Sequence, residues 1–329
     1  MVVGPAQDQH LLGNYRDIHM VVGGPTPLPP YPCPLYSDKV RPKMETDIEK
    51  FRHLSLADVD NLPPRSLLAY NLEFRLRGPD MTQNILITGA SRGIGRAAAI
   101  LCGKRGWNVG VNYASNKSAA EETVSAVEAA GGKAVALQGD AALEADVIRI
   151  FDSMEQTYGS IHSVVVNAGI NAPAMKLAEM SLERMKKVFD TNVLGAYLCA
   201  REAARRIPKA SGDERNRSIV LLSSAAARLG SPNEYVDYAG SKGAIDTLTI
   251  GLSKELGPQK IRVNGIRPGI IATDIHASSG DPGRVERLGN AMPLGRPGTA
   301  EETGEAIVWL LSEASSYVTG TTIDVAGGR

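Results

Sequence analysis

From Met81 onward, short hydrophobic runs alternate with longer amphipathic stretches. The first segments, in order, are NILITG, GIGRAAAILCGKRG, NVGVNYA, SAAEETVSAVEAAGG, KAVALQGD and EADVIRIFDSMEQTYG. The short runs are contiguous and rich in β-branched residues, as in strands buried on both faces, and the longer stretches have helical spacing. Four later runs continue the alternation: IHSVVVNAG, SIVLLSS, KIRVNGIRPG and TTIDVAGG.

Strands and helices that alternate at intervals of about 25 to 30 residues favour right-handed crossovers and a parallel sheet with helices on both faces. Residues 81–329 are therefore predicted to form one α/β domain, a doubly wound Rossmann fold with a seven-stranded parallel sheet. Ligands of such folds bind beyond the carboxyl ends of the strands, so the residues after each strand are the candidates for chemistry.

Residues 1–80 have a different composition. They contain clustered prolines, as in PTPLPP and NLPP, with mixed charge and no sustained helical or strand period. This composition is typical of extended or disordered chain. We predict that residues 1–80 are a disordered extension, or precede a true start at Met81, and that they are not a second folded domain.

The overall composition narrows the class of protein. The 329 residues are 43% hydrophobic, and the formal net charge is zero, so nucleic acid and anionic membranes are not expected partners. No apolar run approaches the roughly 18 residues that a membrane span needs, and no signal peptide is evident. The three cysteines and five histidines are scattered, which predicts no metal site and a reducing, cytoplasmic setting.

The first predicted strand runs into a glycine-rich turn, TGASRGIG, and helical sequence follows at once. Glycines in this position permit a tight turn and let backbone N–H groups approach a pyrophosphate. A glycine pattern is a weak signal by itself, and its place between strand and helix is what indicates dinucleotide binding. The candidate cofactor-binding residues of this turn are Gly89, Ser91, Arg92, Gly93, Ile94 and Gly95.

The residues after the second strand bear on the choice of cofactor. Asn112 and Tyr113 stand where a carboxylate would bind the ribose diol of NAD. A carboxylate there would repel a 2′-phosphate, so its absence, together with Arg92, favours NADP(H), with NAD(H) as the other possibility. A solvated loop residue without a role is the alternative interpretation of Arg92.

Two further strand ends supply cofactor candidates. Asp140 and Ala141 follow the third strand, and Asp140 is a candidate acceptor for the adenine amino group, or else a helix cap. The fourth strand ends in Asn167, Ala168 and Gly169, small residues that let the backbone pass close to a ribose.

The strongest single motif is Tyr238 with Lys242 at the start of a helix, preceded by a strand that ends in Ser223 and Ser224. Residues at i and i+4 share one helix face, so the ammonium is expected to lower the phenol pKa from about 10. Ser224 would hold the substrate oxygen while Tyr238 gives or takes its proton. Alternation along the strand favours Ser224 over Ser223, and Tyr235 is a weaker rival because no lysine lies four residues on.

In this order and spacing, TGASRGIG, the NAG sequence, Ser224 and YAGSK resemble the short-chain dehydrogenase/reductase family over about residues 81–329. The similarity is greatest to 3-oxoacyl-carrier-protein reductases and sugar dehydrogenases. It implies a nicotinamide-dependent oxidoreductase acting on CH–OH or C=O groups. A dinucleotide-binding regulatory protein without turnover is the alternative.

The resemblance also implies roles for individual residues. Asn192 would hold a water that links Lys242 to solvent, and Tyr238 and Lys242 would contact the nicotinamide ribose. The loop after the sixth strand would meet the nicotinamide through Pro268, Gly269, Ile271 and Thr273. The chain departs from the family in having Val166 before Asn167, where a second asparagine is frequent, and in a serine-to-tyrosine gap one residue longer than the commonest.

The segment from Asp274 to Thr299 lies where the family has a substrate lid, with an ordinary surface loop as the alternative. On its short predicted helix, Arg284 and Arg287 are expected to face solvent rather than an anionic group. The expected substrate is a small carbonyl or alcohol compound. The C-terminus and the apolar sequence around the fourth and fifth helices imply a homotetramer, with a dimer as the alternative.

Overall fold

The computed structural model of the chain describes residues 82–209, 217–273 and 280–329. The predicted extension, residues 1–80, lies outside these ranges, as does the start of the predicted lid, residues 274–279. The described residues form a parallel sheet of seven strands in the order β3-β2-β1-β4-β5-β6-β7. The predicted doubly wound α/β fold is therefore confirmed.

The elements have the following bounds. The strands are β1 (Asn84–Ile87), β2 (Asn108–Tyr113), β3 (Lys133–Gln138), β4 (Ser163–Val166), β5 (Ser218–Leu222), β6 (Arg262–Pro268) and β7 (Thr322–Val325). The helices are α1 (Gly93–Lys104), α2 (Lys117–Ala129), α3 (Glu144–Tyr158), α4 (Leu182–Phe189), α5 (Gly195–Arg206), α6 (Ala226–Leu229), α7 (Val236–Leu256), α8 (Arg284–Gly289) and α9 (Ala300–Leu311).

The strands β1, β4 and β5 are buried throughout and carry contiguous apolar runs, because helices cover both faces of the sheet. Along β1, Leu86 joins a core cluster with Phe151 of α3, while its neighbours Ile85 and Ile87 join a second cluster with Ile307 of α9. Val166, the departure from the family pattern, is buried in the first of these clusters. Burial on two sides therefore explains why this sequence forms strands that lack polar alternation.

The strand order reverses beside β1, which pairs with β2 on one side and with β4 on the other. The chain crosses from β3 at one edge to β4 in the middle, so the loops after β1 and β4 diverge and open a crevice. The glycine-rich turn follows β1 at this crevice.

The longest described helix is α7, with 21 residues, and it carries Tyr238 and Lys242 in its first turns. In the part of the chain that the structure describes, no helix combines the length and the apolar character needed to cross a membrane.

Candidate active site

An open cleft lies at the carboxyl ends of the central strands. Ser224, which follows β5, lines it together with Tyr238 and Lys242 of α7. Residues from the glycine-rich turn and from the loops after β4 and β6 complete the wall, among them Ile94, Gly169 and Thr273. The predicted proton-transfer residues and several of the predicted cofactor residues therefore share one cavity.

Ser224 is the serine that reaches the tyrosine. Its side chain lies close enough to that of Tyr238 to lower the tyrosine's pKa, and its Oγ accepts the Ala226 N–H at 3.1 Å. The Ser223 hydroxyl instead donates to the Lys242 carbonyl oxygen at 3.0 Å, which fixes the strand to α7. The geometry thus gives the two adjacent serines different tasks, as alternation along a strand predicts.

Lys242 is buried beside the tyrosine. Its Nζ donates to the Leu222 carbonyl oxygen at 2.7 Å and lies 5.7 Å from the centre of the Tyr238 ring. Burial lowers the pKa of Lys242 to about 8, and the negative charge of Asp246 partly opposes this shift. Lys242 is therefore still mainly charged at neutral pH and loses its charge as the pH rises through about 8.

The expected lowering of the Tyr238 pKa is wrong in direction. Burial raises the pKa of Tyr238 above its ordinary value, and the Ser224 side chain opposes the rise only in part. The reason is that loss of hydration penalises the phenolate more than the serine stabilises it. At neutral pH the side chain is a neutral phenol, which is the form that can donate a proton.

Asn192 lies in a π-helical turn, Asp190–Leu194, between α4 and α5. Its amide Nδ2 donates to the Ile170 carbonyl oxygen at 2.9 Å and to Ser241 Oγ at 3.1 Å, and its Oδ1 accepts the Ile170 N–H at 2.8 Å. Asn192 therefore joins the loop after β4 to α7. Its predicted role in holding a water stays a prediction.

The glycine-rich turn requires glycine at three positions. Gly89 and Gly93 have positive φ angles, 62° and 57°. A Cβ on Gly95 would lie 2.6 Å from both the Gly89 carbonyl oxygen and Asn167 Nδ2. The backbone therefore passes through a space that no side chain can share, as expected where a loop approaches a pyrophosphate.

Helix α1 begins at this turn, and no side chain caps its first N–H groups. Arg92 occupies the N-cap position without a side-chain cap, and the first turn contains no acidic residue. The methyl group of Thr273, from the loop after β6, lies 3.5 Å from where a Cβ of Gly93 would be. An anion between the turn and this loop would meet the positive end of the helix dipole.

Thr88 is a supporting residue that the sequence analysis did not single out. It is fully buried, and its Oγ1 accepts the N–H groups of Asn167 and Ala168, each at 3.0 Å. Asn167 Nδ2 donates in return to the carbonyl oxygens of Thr88 and Gly89, both at 2.9 Å. The sequence did contain a signal for this supporting role, because Thr88 is a polar residue that directly follows an apolar run.

Asn112 supports the glycine-rich turn from beneath. It is buried, its Oδ1 accepts the Gly89 N–H at 3.1 Å, and its Nδ2 donates to the carbonyl oxygens of Leu137 and Gly139. Its amide is thus committed to the backbone, and Tyr113 beside it is also buried. Direct cofactor contacts by Asn112 and Tyr113 stay predictions.

Asp140 is exposed after β3, and its Oδ1 accepts the Ala142 N–H at 2.9 Å in the turn that precedes α3. This bond stabilises the turn before α3, but the N-cap residue of α3 is Leu143, so Asp140 is not the helix cap. Contacts of Asp140 and Ala141 with an adenine stay predictions.

The two arginines of α8 differ, which corrects the expectation that both face solvent. Arg287 is exposed and paired with Asp281. Arg284 has a side chain only 7% exposed, lies over the ring of Tyr235 and lines the cleft. The short helix packs its first residue inward, against the loop that leads into α7.

No group of three or more His, Cys, Asp or Glu residues among those described is arranged to hold a metal ion. The cleft is lined by the hydroxyl of Ser224, the phenol of Tyr238 and the ammonium of Lys242, beside the glycine-rich turn. Two features together define a class of protein, the nicotinamide-dependent oxidoreductases of the doubly wound fold. The first is a parallel sheet with a glycine-rich turn at the point where the strand order reverses. The second is a cleft that contains a serine, a tyrosine and a lysine.

Comparison with known proteins gives the family. Residues 89–329 match a family model described as enoyl-(acyl carrier protein) reductase. The chain is 50% identical over 244 residues to the uncharacterized oxidoreductase YgfF of Escherichia coli (strain K12), covering 74% of this chain and 98% of that protein. It is 35% identical over 250 residues to glucose 1-dehydrogenase 2 of Bacillus subtilis (strain 168), covering 76% of this chain and 95% of that protein.

Among solved structures, a short-chain type dehydrogenase/reductase from Mycobacterium marinum aligns with a TM-score of 0.70 and 33% identity, covering 76% of this chain and 96% of that one. The chain belongs to the short-chain dehydrogenase/reductase family, and it is an NAD(P)-dependent oxidoreductase that acts on CH–OH or C=O groups.

Proposed function

We propose that this oxidoreductase prefers NADP(H) and reduces a small carbonyl compound, with Tyr238 as the proton donor. The observation that carries the proposal is the single cleft that Ser224, Tyr238 and the buried Lys242 line together, with the Lys242 Nζ 5.7 Å from the centre of the Tyr238 ring. The same cleft is continuous with the glycine-rich turn through Ile94.

The residues present fit a dinucleotide. Side chains are excluded at Gly89 and Gly95, because a Cβ there would clash with neighbouring atoms, so the backbone of the turn is open to the pyrophosphate. Gly89, Ser91, Arg92, Gly93, Ile94 and Gly95 would hold the pyrophosphate region; Asn167, Ala168 and Gly169 the adjoining ribose; Tyr238 and Lys242 the nicotinamide ribose; and Pro268, Gly269, Ile271 and Thr273 the nicotinamide. When bound, the cofactor supplies or accepts the hydride.

In the reducing direction, the Ser224 hydroxyl donates a hydrogen bond to the substrate carbonyl oxygen and orients it. Tyr238, kept neutral by burial, transfers its phenolic proton to that oxygen as the alcohol forms. The ammonium of Lys242 then stabilises the remaining phenolate. Asn192, which joins the loop after β4 to α7, would anchor the water through which a proton returns.

The preference for NADP(H) is supported by charge. Arg92 is exposed at the turn, and the exposed residues after β2, 114–117, include no carboxylate. The 2′-phosphate of NADP(H) offers Arg92 an additional charge-assisted hydrogen bond. NAD(H) lacks the 2′-phosphate and therefore cannot form this bond.

We therefore expect Arg92→Gln to weaken NADPH binding by about 10-fold and NADH binding by no more than about twofold, since one charge-assisted hydrogen bond is lost. Fluorescence titration of the reduced cofactors measures both. Lys104→Gln, at the opposite end of α1, is the matched control and should change neither affinity. Tighter binding of NADH to the wild type, or equal weakening of both cofactors, would contradict the preference.

We also propose a homotetramer. Several large apolar side chains are exposed from α4 to α5, namely Leu182, Phe189, Leu194 and Tyr197. Clustered apolar exposure of this kind is typical of subunit contacts.

A reducing, cytoplasmic setting is proposed on the state of the cysteines. Cys102 and Cys199 are free and buried, and burial raises the pKa of each thiol to about 12. Thiols held in this form are unreactive structural residues.

A further inference from the structure

Arg284, which lines the cleft, has a hydrogen-bond donor group without an acceptor. Its Nη2 donates to Glu234 Oε2 at 2.7 Å, but its buried Nη1 has no hydrogen-bond partner. A carboxylate oxygen of Asp281 is 3.9 Å from Nη1, beyond hydrogen-bond distance. Leaving a buried cationic N–H without an acceptor is costly, so an acceptor from outside the chain would be bound strongly there.

Tyr235 supplies a second spare donor. It is only 2% exposed, and its hydroxyl likewise lacks a hydrogen-bond partner. The guanidinium of Arg284 lies over its ring, 4.8 Å from the ring centre, so the two side chains hold each other in place. Both line the cleft that contains Ser224 and Tyr238.

Arg329, the last residue, adds a second positive charge to the same wall. Its guanidinium donates no hydrogen bond to a described residue, and its carbonyl oxygen accepts from Arg228 at 3.3 Å. Burial lowers the pKa of Arg329, the charge of Arg284 lowers it further, and the charge of Glu234 opposes both. An anion in this part of the cleft would be attracted by both guanidinium groups.

We propose that Arg284, the Tyr235 hydroxyl and Arg329 form a subsite for a carboxylate on the substrate. One carboxylate oxygen accepts from Arg284 Nη1 and the other from the Tyr235 hydroxyl, with Arg329 as the neighbouring charge. The substrate is then an oxo acid in the reducing direction and a hydroxy acid in the oxidising direction. This inference rests on the proposed function.

An anion is favoured over a neutral acceptor because hydrogen bonds between ionised partners are roughly twice as strong as neutral ones. The reaction itself leaves the carboxylate unchanged. Two electrons and one proton pass from the reduced nicotinamide to the carbonyl carbon, and Tyr238 gives the second proton to the carbonyl oxygen, so the product is the hydroxy acid and the oxidised cofactor.

The test compares oxo acids with their methyl esters, because esterification removes the charge and keeps the ketone. We expect the wild type, with NADPH, to reduce at least one of pyruvate, acetoacetate and levulinate with a kcat/KM about 10-fold or more above that of its methyl ester. Arg284→Gln should lower kcat/KM for that acid by about 10- to 100-fold and for the ester by no more than about twofold. Tyr235→Phe should cause a smaller loss confined to the acid.

Arg287→Gln is the matched control, since Arg287 lies on the same short helix but is exposed and paired with Asp281. This variant should keep the acid preference. Equal kcat/KM for every acid and its ester in the wild type, or equal losses for both in Arg284→Gln, would overturn the subsite. Such a result leaves ester reduction intact, whereas failure of the proposed function abolishes reduction of acid and ester together.

A measurement of binding does not depend on turnover. In the presence of NADP⁺, the oxo acids cannot be reduced, and their binding should raise the Tm of the wild type more than their esters do. Arg284→Gln should lose this difference and Arg284→Lys should retain part of it. An equal Tm increase by acids and esters, or none by either, would overturn the subsite.

Discussion

Replacing Tyr238 by Phe is expected to lower kcat for carbonyl reduction by roughly 100- to 10,000-fold, the range that a positioned general acid contributes. The phenyl ring keeps the packing of the side chain, and only the hydroxyl is lost. Because the glycine-rich turn and Lys242 are untouched and at most one hydrogen bond to the nicotinamide ribose is lost, the Kd for NADPH should rise by no more than about 10-fold. Steady-state kinetics and fluorescence titration on the same preparation measure the two quantities.

Tyr317→Phe is the matched control for this substitution, because the Tyr317 side chain is fully exposed and lies outside the cleft. Its kcat should equal that of the wild type. A Tyr238→Phe variant that retains wild-type turnover would refute the role of Tyr238. A wild type that binds NADPH but reduces no ketone, acyl thioester or sugar would instead favour a regulatory dinucleotide-binding protein.

The second large effect is expected at the glycine-rich turn. In Gly95→Ala, the new methyl group would lie 2.6 Å from the Gly89 carbonyl oxygen and from Asn167 Nδ2, so the turn must move. We expect the Kd for NADPH to rise by about 10-fold or more, and stability to fall by about 1–3 kcal/mol because the site is overpacked. Fluorescence titration and urea unfolding measure the two effects.

Gly251→Ala provides the comparison, because Gly251 lies in α7 with no atom within 4 Å of the position of a Cβ. This variant should bind NADPH normally and gain up to about 1 kcal/mol of stability from helix propensity. If Gly95→Ala binds NADPH as tightly as Gly251→Ala does, the turn is not the pyrophosphate site.

Much of the fold was predictable because the central strands are buried on both faces. The contiguous apolar runs at β1, β4 and β5 have no polar alternation, and only a sheet covered on both sides accommodates them. The cleft was predictable for a related reason. Ser224 follows a strand directly, and Tyr238 and Lys242 share a helix face, so the topology brings them to one edge of the sheet.

Other features depended on tertiary contacts that no local pattern encodes. Arg284 lies on a helix of six residues, too short to show a buried face, and its inward position follows from stacking on Tyr235. The direction of the Tyr238 pKa depended on its burial, which spacing from Lys242 does not reveal. The commitment of the Asn112 amide to backbone partners likewise required the turn after β1 to be seen beside β3.

The most direct test of the central claim is to follow the transferred hydrogen. The wild type is incubated with NADPH that carries deuterium at the nicotinamide C4, prepared separately for each face of the ring, and with a panel of ketones, acyl thioesters and sugars. We predict that one of the two cofactor preparations gives an alcohol product with a single deuterium on the former carbonyl carbon, detected by mass spectrometry. Formation of no alcohol, or of an alcohol without deuterium from both preparations, would contradict direct hydride transfer by this enzyme.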